Sequence, residues 1–393
     1  MDRNGEILAS SETPLGKRTY KNPKAFGSLL GYWSLIYGTS GIEKAYDQEL
    51  ATSECASKGE KAGSTVKLTI DSGLQTFAYN QIADKKGSLV VLDAKTGEIL
   101  ALTSSPSFNG NTLEENWDKL NQKEGILTSN AYQNAAIPGS IFKIITSAAI
   151  LENKLEDEIV NDKGFLKVDG REISNSEGAV YGRLSLKEGF KKSSNVYFMT
   201  MGLKLGADTL EQMMSRFLIG EEIPLDFTTL KSNLDFDDYS DNMIATTAFG
   251  QGKTLITPLH MAMILQSIAN EGNMLKPYVI SSVTNGKGEI TKEGKIEALT
   301  TTVTKKVANE IKMIMTETGE KYGMTTLEKG EKIAAKTGTA QRGDGTNNSW
   351  MVSFAPADNP KYVVCINNLE TKEFGISLKE ETEAIYQYLW SHK

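Results

Sequence analysis

A serine and a lysine three residues apart, Ser140 and Lys143, have the types and spacing of a nucleophile and its base. Pro138 and Gly139 break regular structure just before them, and an apolar run at 144–151 predicts a buried helix just after. Residues i and i+3 of a helix share one face. A hydroxyl at a helix N-terminus beside a desolvated amine is activated, because the dipole favours the anion and desolvation lowers the lysine pKa. Ordinary solvent-facing helices also carry S-x-x-K, so this pair alone does not establish a site.

Two later polar stretches could complete such a site. Ser193-Ser194-Asn195 alone predicts a helix cap or a turn. Lys336-Thr337-Gly338-Thr339 ends a strand-like run, where a lysine can hold a carboxylate and a glycine lets a ligand backbone approach closely. The order S-x-x-K, S-x-N, K-T-G is far more specific than any one of the three.

The elements that must position these residues follow from periodicity and turn residues. Strands at both ends of the chain with helices between them predict an α+β fold. Residues 104–135 look mostly irregular and polar, residues 51–64 look like a polar linker, and Asn4-Gly5 predicts a short N-terminal hairpin. The predicted strands are 66–71, 87–93, 98–103, 332–339, 349–355 and 361–367, and the predicted helices are 42–50, 75–83, 144–151, 208–217, 258–270, 303–318 and 380–390.

Composition excludes several classes of function. The 393 residues carry a net charge of −7 and no long basic run, which argues against nucleic acid as a partner. Cys55 and Cys365 are too few for a disulfide framework or a cysteine-rich zinc site. His260 and His392 have no supporting cluster, so neither a metal nor another cofactor is expected.

Two further patterns are assigned no chemistry. Gly250-Gln251-Gly252-Lys253-Thr254 resembles a phosphate-binding loop, but Thr247 stands where that loop requires its first glycine. The acidic stretch at 235–241 is predicted to be a solvated loop. Cys365 and His260 are interpreted as core residues.

The sequence contains no run of 18 apolar residues, and Met1 is followed at once by a polar turn rather than a signal peptide. Two interpretations remain: a cytoplasmic protein, or a chain that has lost a preceding membrane anchor.

The three motifs together resemble those of the penicillin-binding proteins and the serine β-lactamases. Finer matches resemble the class B penicillin-binding transpeptidases. They are Thr69-Ile70-Asp71, Gly97-Glu98-Ile99-Leu100-Ala101, Gly250-Gln251-Gly252 with Thr257-Pro258-Leu259, and, for an N-terminal pedestal, Asp2-Arg3-Asn4-Gly5 and Gly41-Ile42-Glu43. The resemblance covers nearly the whole chain.

The resemblance implies a transpeptidase domain at residues 64–393, with a central antiparallel sheet flanked by helices and an all-helical region. Residues 1–63 would form a short pedestal or dimerisation-type segment with its linker. A single-pass anchor would be missing from this chain, and the catalytic domain would lie on the extracytoplasmic face of the cell membrane.

The activity implied by the resemblance is serine-type D,D-transpeptidation of peptidoglycan stem peptides, with β-lactams as inhibitors. Ser140 would attack, Lys143 would be its base, Ser193 would relay the proton, and Asn195 would hold Lys143 and the substrate amide. The KTG residues Lys336, Thr337 and Gly338 with Thr339 would bind substrate, with Lys336 and Thr339 on its terminal carboxylate. The backbone N–H groups of Ser140 and Thr339 would bind the oxyanion.

The implied partners are stem peptides ending in D-Ala-D-Ala, β-lactams, and a membrane-embedded lipid II polymerase of the shape, elongation, division and sporulation group. Two alternatives use the same motifs: a hydrolase, either a D,D-carboxypeptidase or a β-lactamase, and a β-lactam sensor that acylates and only signals. The pedestal-like residues argue against both a β-lactamase and a sensor. Two departures concern the substrate side: Ile141 stands where the family usually has threonine, and Ser129-Asn130-Ala131 where it often has Asn-Arg-Ala.

Overall fold

The computed structural model of the chain describes residues 1–13, 16–51, 53–55, 61–233, 239–325 and 330–392. Within those ranges, every helix is too short or too polar to cross a membrane. The side chains of residues 53–55 and 61–62 lie outside the description.

The α-helices of the described ranges alternate along the chain with strands, turns and 3₁₀ segments. They are α1 (Pro23–Leu30), α2 (Gly41–Ala45), α3 (Asp47–Ala51), α4 (Ser72–Ile82), α5 (Leu113–Asn121), α6 (Lys143–Glu152), α7 (Leu186–Lys192), α8 (Asn195–Leu205), α9 (Ala207–Arg216), α10 (Asp241–Ala248), α11 (Pro258–Ala269), α12 (Lys305–Lys321) and α13 (Lys379–Ser391).

The strands of the same ranges fall into one main sheet and several small ones. They are β1 (Ala9–Ser10), β2 (Thr19–Tyr20), β3 (Trp33–Ser34), β4 (Gly38–Thr39), β5 (Ser53–Cys55), β6 (Lys61–Gly63), β7 (Thr65–Leu68), β8 (Gly87–Asp93), β9 (Ile99–Ser105), β10 (Val160–Asp162), β11 (Phe165–Val168), β12 (Arg171–Ser174), β13 (Gly182–Leu184), β14 (Asn273–Leu275), β15 (Ile280–Thr284), β16 (Ile290–Glu293), β17 (Ala298–Thr301), β18 (Ala334–Gln341), β19 (Asn347–Ala355) and β20 (Tyr362–Thr371).

The main sheet has five strands in the order β18-β19-β20-β8-β9, and every neighbouring pair is antiparallel. Along β8 and β20, buried and exposed residues do not alternate. Almost all of their residues are buried because both faces of the sheet are covered. β18 is the edge strand at one side, with Lys336 opposite Val352 and Gly338 opposite Trp350. The edge strand therefore carries the K-T-G motif.

Helices cover the two faces of the sheet. α11 packs on β8, β19 and β20 and is buried on every side, which explains why most of its residues are apolar. On the opposite face, α4 and α13 enclose a second core that includes Leu74, Tyr386 and Trp390. This arrangement agrees with the α+β class and with the sheet flanked by helices expected from the sequence.

A helical region lies against the α11 side of the sheet. In it, α8 contacts α6, α9 and α10, and their apolar faces join the larger core. The short 3₁₀ turn before α6 contacts β18, so the boundary between the helical region and the sheet edge brings the S-x-x-K and K-T-G motifs together.

Residues 104–135 are largely irregular, as the sequence predicted, but they include α5. Its apolar residues Leu113, Trp117 and Leu120 recur at helical spacing among many polar ones, and they belong to a small core that also contains Phe108 and Ile126. The ring of Tyr37 stacks on Trp117 at 4.1 Å. The amphipathic stripe was present in the sequence but was obscured by the polar majority.

The N-terminal predictions also need correction. The predicted helix at 42–50 is two short helices, α2 and α3, with Tyr46 in a non-helical conformation between them. Within the predicted linker, β5 pairs with β6, whereas residues 52 and 56–60 lie outside the description. The Asn4-Gly5 turn exists, but the paired strands are β1 and β2 further along. Of the acidic stretch at 235–241, residues 235–238 lie outside the described residues.

Candidate active site

Ser140 lies in a 3₁₀ turn, Gly139–Phe142, that runs directly into α6. Gly139 has a φ of 59°, and a Cβ on it would lie 2.9 Å from the carbonyl carbon of Thr339. Only glycine permits both that backbone conformation and that approach to β18. The turn therefore fixes Ser140 at the N-terminal end of a buried helix and against the edge of the sheet.

The glycine-rich stretch that resembled a phosphate loop supports this turn from the other side. The amide of Gly139 donates a 2.8 Å hydrogen bond to the carbonyl of Gly250. Gly250 has a φ of 87°, and a Cβ on it would lie 1.9 Å from the carbonyl oxygen of Gly139. The stretch thus buttresses the turn that holds Ser140.

Lys143, the first residue of α6, is fully buried, and its Nζ is surrounded by polar atoms. Nζ lies 3.0 Å from the hydroxyl of Ser140 and 3.3 Å from that of Ser193. It donates to the carbonyl of Ser193 at 2.7 Å and to Oδ1 of Asn195 at 2.9 Å. A neutral amine suits this geometry, because two N–H groups meet the two carbonyl-type acceptors and the lone pair remains for the Ser140 hydroxyl.

The second motif joins two helices. Ser193 follows α7 in the left-handed conformation, with φ 55° and ψ 37°. Ser194 caps α8, because its hydroxyl accepts a 2.9 Å hydrogen bond from the amide of Tyr197. Asn195 is the first residue of α8. The sharp change of direction between α7 and α8 points the Ser193 hydroxyl at Lys143.

Lys336 is fully buried on β18 and completes the cluster from the sheet. Its Nζ donates to the Ser193 hydroxyl at 3.0 Å and to the Thr337 carbonyl at 2.9 Å. The two lysines therefore share the hydroxyl of Ser193. The structure brings together five of the predicted site residues, namely Ser140, Lys143, Ser193, Asn195 and Lys336.

Thr337 and Thr339 differ from this cluster in orientation. Side chains alternate along a strand, so both threonines project from the face of β18 opposite to Lys336 and Gly338. The Thr337 hydroxyl donates to the Tyr322 hydroxyl at 3.0 Å, and the Thr339 hydroxyl accepts from the amide of Gly375 at 3.0 Å. Neither threonine side chain is in hydrogen-bond contact with the five clustered residues.

The backbone of β18 has an open edge beside Ser140. The Thr337 amide donates to Tyr322 at 3.4 Å rather than to β19, so it points away from the sheet. Backbone direction repeats every two residues in a strand, and the Thr339 amide therefore points to the same open edge. The turn at Gly139 packs against the β18 backbone at Thr339. The amides of Thr339 and Ser140 therefore lie at neighbouring positions.

Burial and mutual repulsion govern the charges of the two lysines. Burial lowers the pKa of Lys143 well below its usual range, the charge of Lys336 lowers it further, and Asp162 acts in the opposite sense. Burial also lowers the pKa of Lys336, whereas Tyr322 raises it. Burial alone would raise the pKa of Tyr322, but Lys336 and the hydrogen bonds from Thr337 bring it below its usual value. Two buried amines this close disfavour each other's charged form.

Sequence reasoning missed three residues that support this cluster. Tyr322 accepts hydrogen bonds from Lys336 and Thr337, and Asp162 and Asn175 hold the second motif from behind. They lie on elements distant in sequence from the residues they support, and no spacing rule links them to the motifs. Their roles become visible only in the folded chain.

The residues also bear on metal binding. Among the described residues, no group of three or more His, Cys, Asp or Glu side chains is arranged to hold a metal ion. His260 is buried, its ring bonded to the Ser232 hydroxyl at 2.7 Å and the Phe217 carbonyl at 2.8 Å. Burial lowers the pKa of His260 to about 4. His260 is therefore a core residue of α11, and Cys365 is a buried residue of β20.

Residues 87–387 match the model of the penicillin binding protein transpeptidase domain. The chain belongs to the penicillin-binding protein transpeptidase family. Residues 1–67 match the penicillin binding protein A dimerisation domain. The family predicted from the motifs is thus confirmed.

Relatives with assigned names support the same family. The peptidoglycan D,D-transpeptidase PbpA of Mycobacterium tuberculosis is 30% identical, with 92% of this chain and 82% of that protein covered. The PbpA of Mycolicibacterium smegmatis is 28% identical over the same shares of the two chains.

Solved structures of family members confirm the fold. The penicillin G acyl-enzyme of M. tuberculosis penicillin-binding protein A superposes with a TM-score of 0.91 at 27% identity, covering 99% of this chain and 98% of the other. A D,D-transpeptidase domain from Eggerthella lenta gives a TM-score of 0.90 at 30% identity, covering 99% of this chain and 97% of the other.

Proposed function

We propose that this chain is a peptidoglycan D,D-transpeptidase that works through an acyl-enzyme on Ser140 and is inhibited by β-lactams. The observation that carries the proposal is the 3.0 Å approach of Ser140 Oγ to Nζ of the fully buried Lys143. The named relatives are D,D-transpeptidases, and a superposable relative forms an acyl-enzyme with penicillin G.

In the first half-reaction, neutral Lys143 accepts the proton of the Ser140 hydroxyl as Oγ attacks the carbonyl carbon of the penultimate D-alanine. Collapse of the tetrahedral intermediate breaks the peptide bond, and the terminal D-alanine leaves. Its amine takes a proton that passes from Lys143 through the Ser193 hydroxyl, which is 3.3 Å from Nζ. Asn195 fixes the Lys143 amine by its 2.9 Å contact and has an amide side chain suited to the substrate's peptide bond.

The oxyanion and the terminal carboxylate are assigned to β18. The outward amide of Thr339 and the amide of Ser140 supply two N–H donors for the developing negative charge. Lys336 offers a positive charge to the carboxylate, within the K-T-G segment formed with Thr337 and Gly338. The Thr339 hydroxyl accepts from Gly375, which leaves its own proton free to donate to the same carboxylate.

In the second half-reaction, an amine of a neighbouring stem peptide attacks the ester. Lys143 takes the proton of the attacking amine and passes it to Oγ of Ser140 as the ester bond breaks, which returns both side chains to their starting states. The product is a cross-link between two stems. No step requires a metal or a cofactor.

We further propose that the catalytic domain acts on the extracytoplasmic face of the membrane and that the N-terminal segment contacts a membrane-embedded lipid II polymerase. The support is the match of residues 1–67 to a dimerisation domain, together with Leu35 and Ile36, which are 77% and 72% exposed beside the β3–β4 pair. Replacing both with aspartate should abolish binding to the purified polymerase and leave penicillin acylation unchanged. Binding that survives the double substitution would remove this support.

The test of the acyl-enzyme is mass spectrometry of the intact protein after incubation with penicillin, followed by peptide mapping. One penicilloyl adduct is expected, on the peptide that contains Ser140. Ser140→Ala should lose the adduct, whereas Ser147→Ala, a change of a buried serine within α6, should keep it. An adduct on another residue, or none on folded protein, would refute the proposal.

A further inference from the structure

A buried carboxylate lies behind the second motif. Asp162 ends β10 and is 1% exposed. It accepts hydrogen bonds from the Ser194 hydroxyl at 2.6 Å, from Nδ2 of Asn175 at 2.8 Å, and from the amide of Gly164 at 2.7 Å. Asp162 is the acceptor in all three hydrogen bonds, which is the pattern of an ionised carboxylate. Burial of such a group is costly unless it is fully bonded, so its presence here calls for an explanation.

Asn175 extends the contact of Asp162 to the backbone of α8. Its Oδ1 accepts from the amide of Asn195 at 2.8 Å and from that of Val196 at 3.1 Å. Asp162 orients the Asn175 amide through Nδ2, which leaves Oδ1 facing the helix. Together they bind the hydroxyl of Ser194 and the amide of Asn195, two adjacent residues of the motif.

The motif needs such support because Ser193 is strained. Its left-handed φ of 55° is unusual for a residue other than glycine and strains the backbone. The conformation persists where surrounding bonds determine it. It allows the carbonyl of Ser193 to accept from Lys143 at 2.7 Å while the hydroxyl stays near both lysines.

Charge gives Asp162 a second effect. The charged groups that act on Lys143 are Lys336, from β18, and Asp162, from β10. Lys336 and burial lower the pKa of Lys143, and Asp162 raises it. Across from Asp162, the half-buried Tyr181 experiences the same negative charge, and its pKa is raised by burial, Asp162 and Glu177.

We infer that Asp162 and Asn175 are positioning residues that hold Ser193 and Asn195 against Lys143. The inference rests on the acyl-enzyme function proposed above. Neither residue touches the substrate; both act through the second motif.

The test compares second-order rate constants of penicillin acylation between pH 5 and 9, together with thermal unfolding. Asp162→Asn should slow acylation about 10- to 100-fold, as expected for misplaced catalytic groups. The acid limb of the pH profile should move to lower pH, because loss of the negative charge favours neutral Lys143. A role confined to stability would lower the melting temperature without moving that limb. Glu172→Gln removes an exposed charge from nearby β12 and should change neither the rate nor the limb.

Two more variants keep the inference testable if Asp162→Asn does not fold. Asn175→Ala retains the carboxylate but removes the acceptor for the Asn195 amide, and it should also slow acylation at least tenfold. The exchange of both residues, Asp162→Asn with Asn175→Asp, restores a negative charge and should recover part of the rate. Normal acylation by either folded single variant, while wild-type protein is labelled on Ser140, would overturn this inference alone. Absence of label on wild-type Ser140 would instead overturn the proposed function.

Discussion

The Nζ of Lys336 lies 3.0 Å from the hydroxyl of Ser193, which is also 3.3 Å from the Nζ of Lys143. A single hydroxyl therefore links the lysine beside the nucleophile to the lysine of the sheet edge. Because both amines are buried and repel each other's charge, the arrangement favours one ammonium and one neutral amine. Lys143 has the more strongly lowered pKa and is the better candidate for the neutral base.

Lys143→Arg should slow penicillin acylation by about 10²- to 10⁴-fold, the usual contribution of a general base. Arginine keeps a positive charge but does not deprotonate in proteins, so it cannot accept the Ser140 proton. The measurement is the acylation rate with a fluorescent penicillin, alongside thermal unfolding to confirm a folded variant. Lys192→Arg is the matched control, since Lys192 adjoins the second motif but lies over the ring of Tyr181. Near-normal acylation by Lys143→Arg would contradict the assignment of the base.

Gly250→Ala should destabilise the protein and reduce acylation, whereas Gly252→Ala should mainly destabilise it. Both glycines have a φ of 87°, so alanine at either position costs about 1–2 kcal/mol. At Gly250 the added Cβ would also lie 1.9 Å from the Gly139 carbonyl oxygen, and relief of this overlap adds about 1–3 kcal/mol. At Gly252 the closest atom is the Thr246 hydroxyl at 3.2 Å. Urea unfolding and acylation rates check both variants, and equal acylation by the two would argue against the buttress.

Local patterns predicted β8 and β9 well because each contains a short apolar run bounded by polar or turn residues. The predicted strand at 87–93 coincides with β8. The helix predicted at 258–270 is observed as α11, which ends one residue earlier. The order of the motifs was sufficient to select the residues that cluster around Lys143.

Residues that act across the fold could not be predicted in this way. Asp162 supports Ser194 from a separate small strand, and Tyr322 reaches Thr337 from the end of α12. Their importance depends on tertiary distances, which no periodicity encodes. For the same reason, the sequence could not show that Gly139 and Gly250 allow their two backbone segments to pack closely.

Tyr322→Phe should slow acylation about 5- to 10-fold, the effect of losing roughly 1 kcal/mol of net hydrogen bonding. The lost hydroxyl is 3.0 Å from that of Thr337 and 3.5 Å from Nζ of Lys336, so the K-T-G segment loses a support. Tyr388→Phe is a control on α13, where the ring stacks on Phe77 across the other face of the sheet. Equal acylation rates for the two variants would show that Tyr322 does not position Lys336.

His260 should make the protein less stable as the pH falls from about 6.5 to about 4. Burial lowers its pKa to about 4 in the folded chain, whereas an unfolded histidine titrates near 6.5. Between these values the unfolded state binds more protons, so the free energy of unfolding falls with falling pH, by about 3 kcal/mol in total. His260→Gln should remove this part of the pH dependence in urea unfolding, and His392→Gln should retain it. Identical pH profiles for wild type and His260→Gln would contradict the buried neutral histidine.

Deacylation separates a transpeptidase from a hydrolase, because water attacks the ester quickly only where a base activates it. Among the described residues, no carboxylate is hydrogen-bonded to Ser140, Lys143 or Ser193. Asp162, the carboxylate whose charge acts on Lys143, already accepts bonds from Ser194, Asn175 and Gly164. The penicilloyl-enzyme should therefore persist with a half-life of minutes to hours, a barrier of roughly 21–24 kcal/mol.

The measurement is recovery of free Ser140 after acylation with a chromogenic β-lactam and removal of the excess. Slow recovery, together with amine-dependent product from a stem-peptide thioester, is the result expected of a transpeptidase. A sensor would also recover slowly but would form no cross-linked product. Turnover many times per second would instead identify a β-lactamase and overturn the transpeptidase proposal.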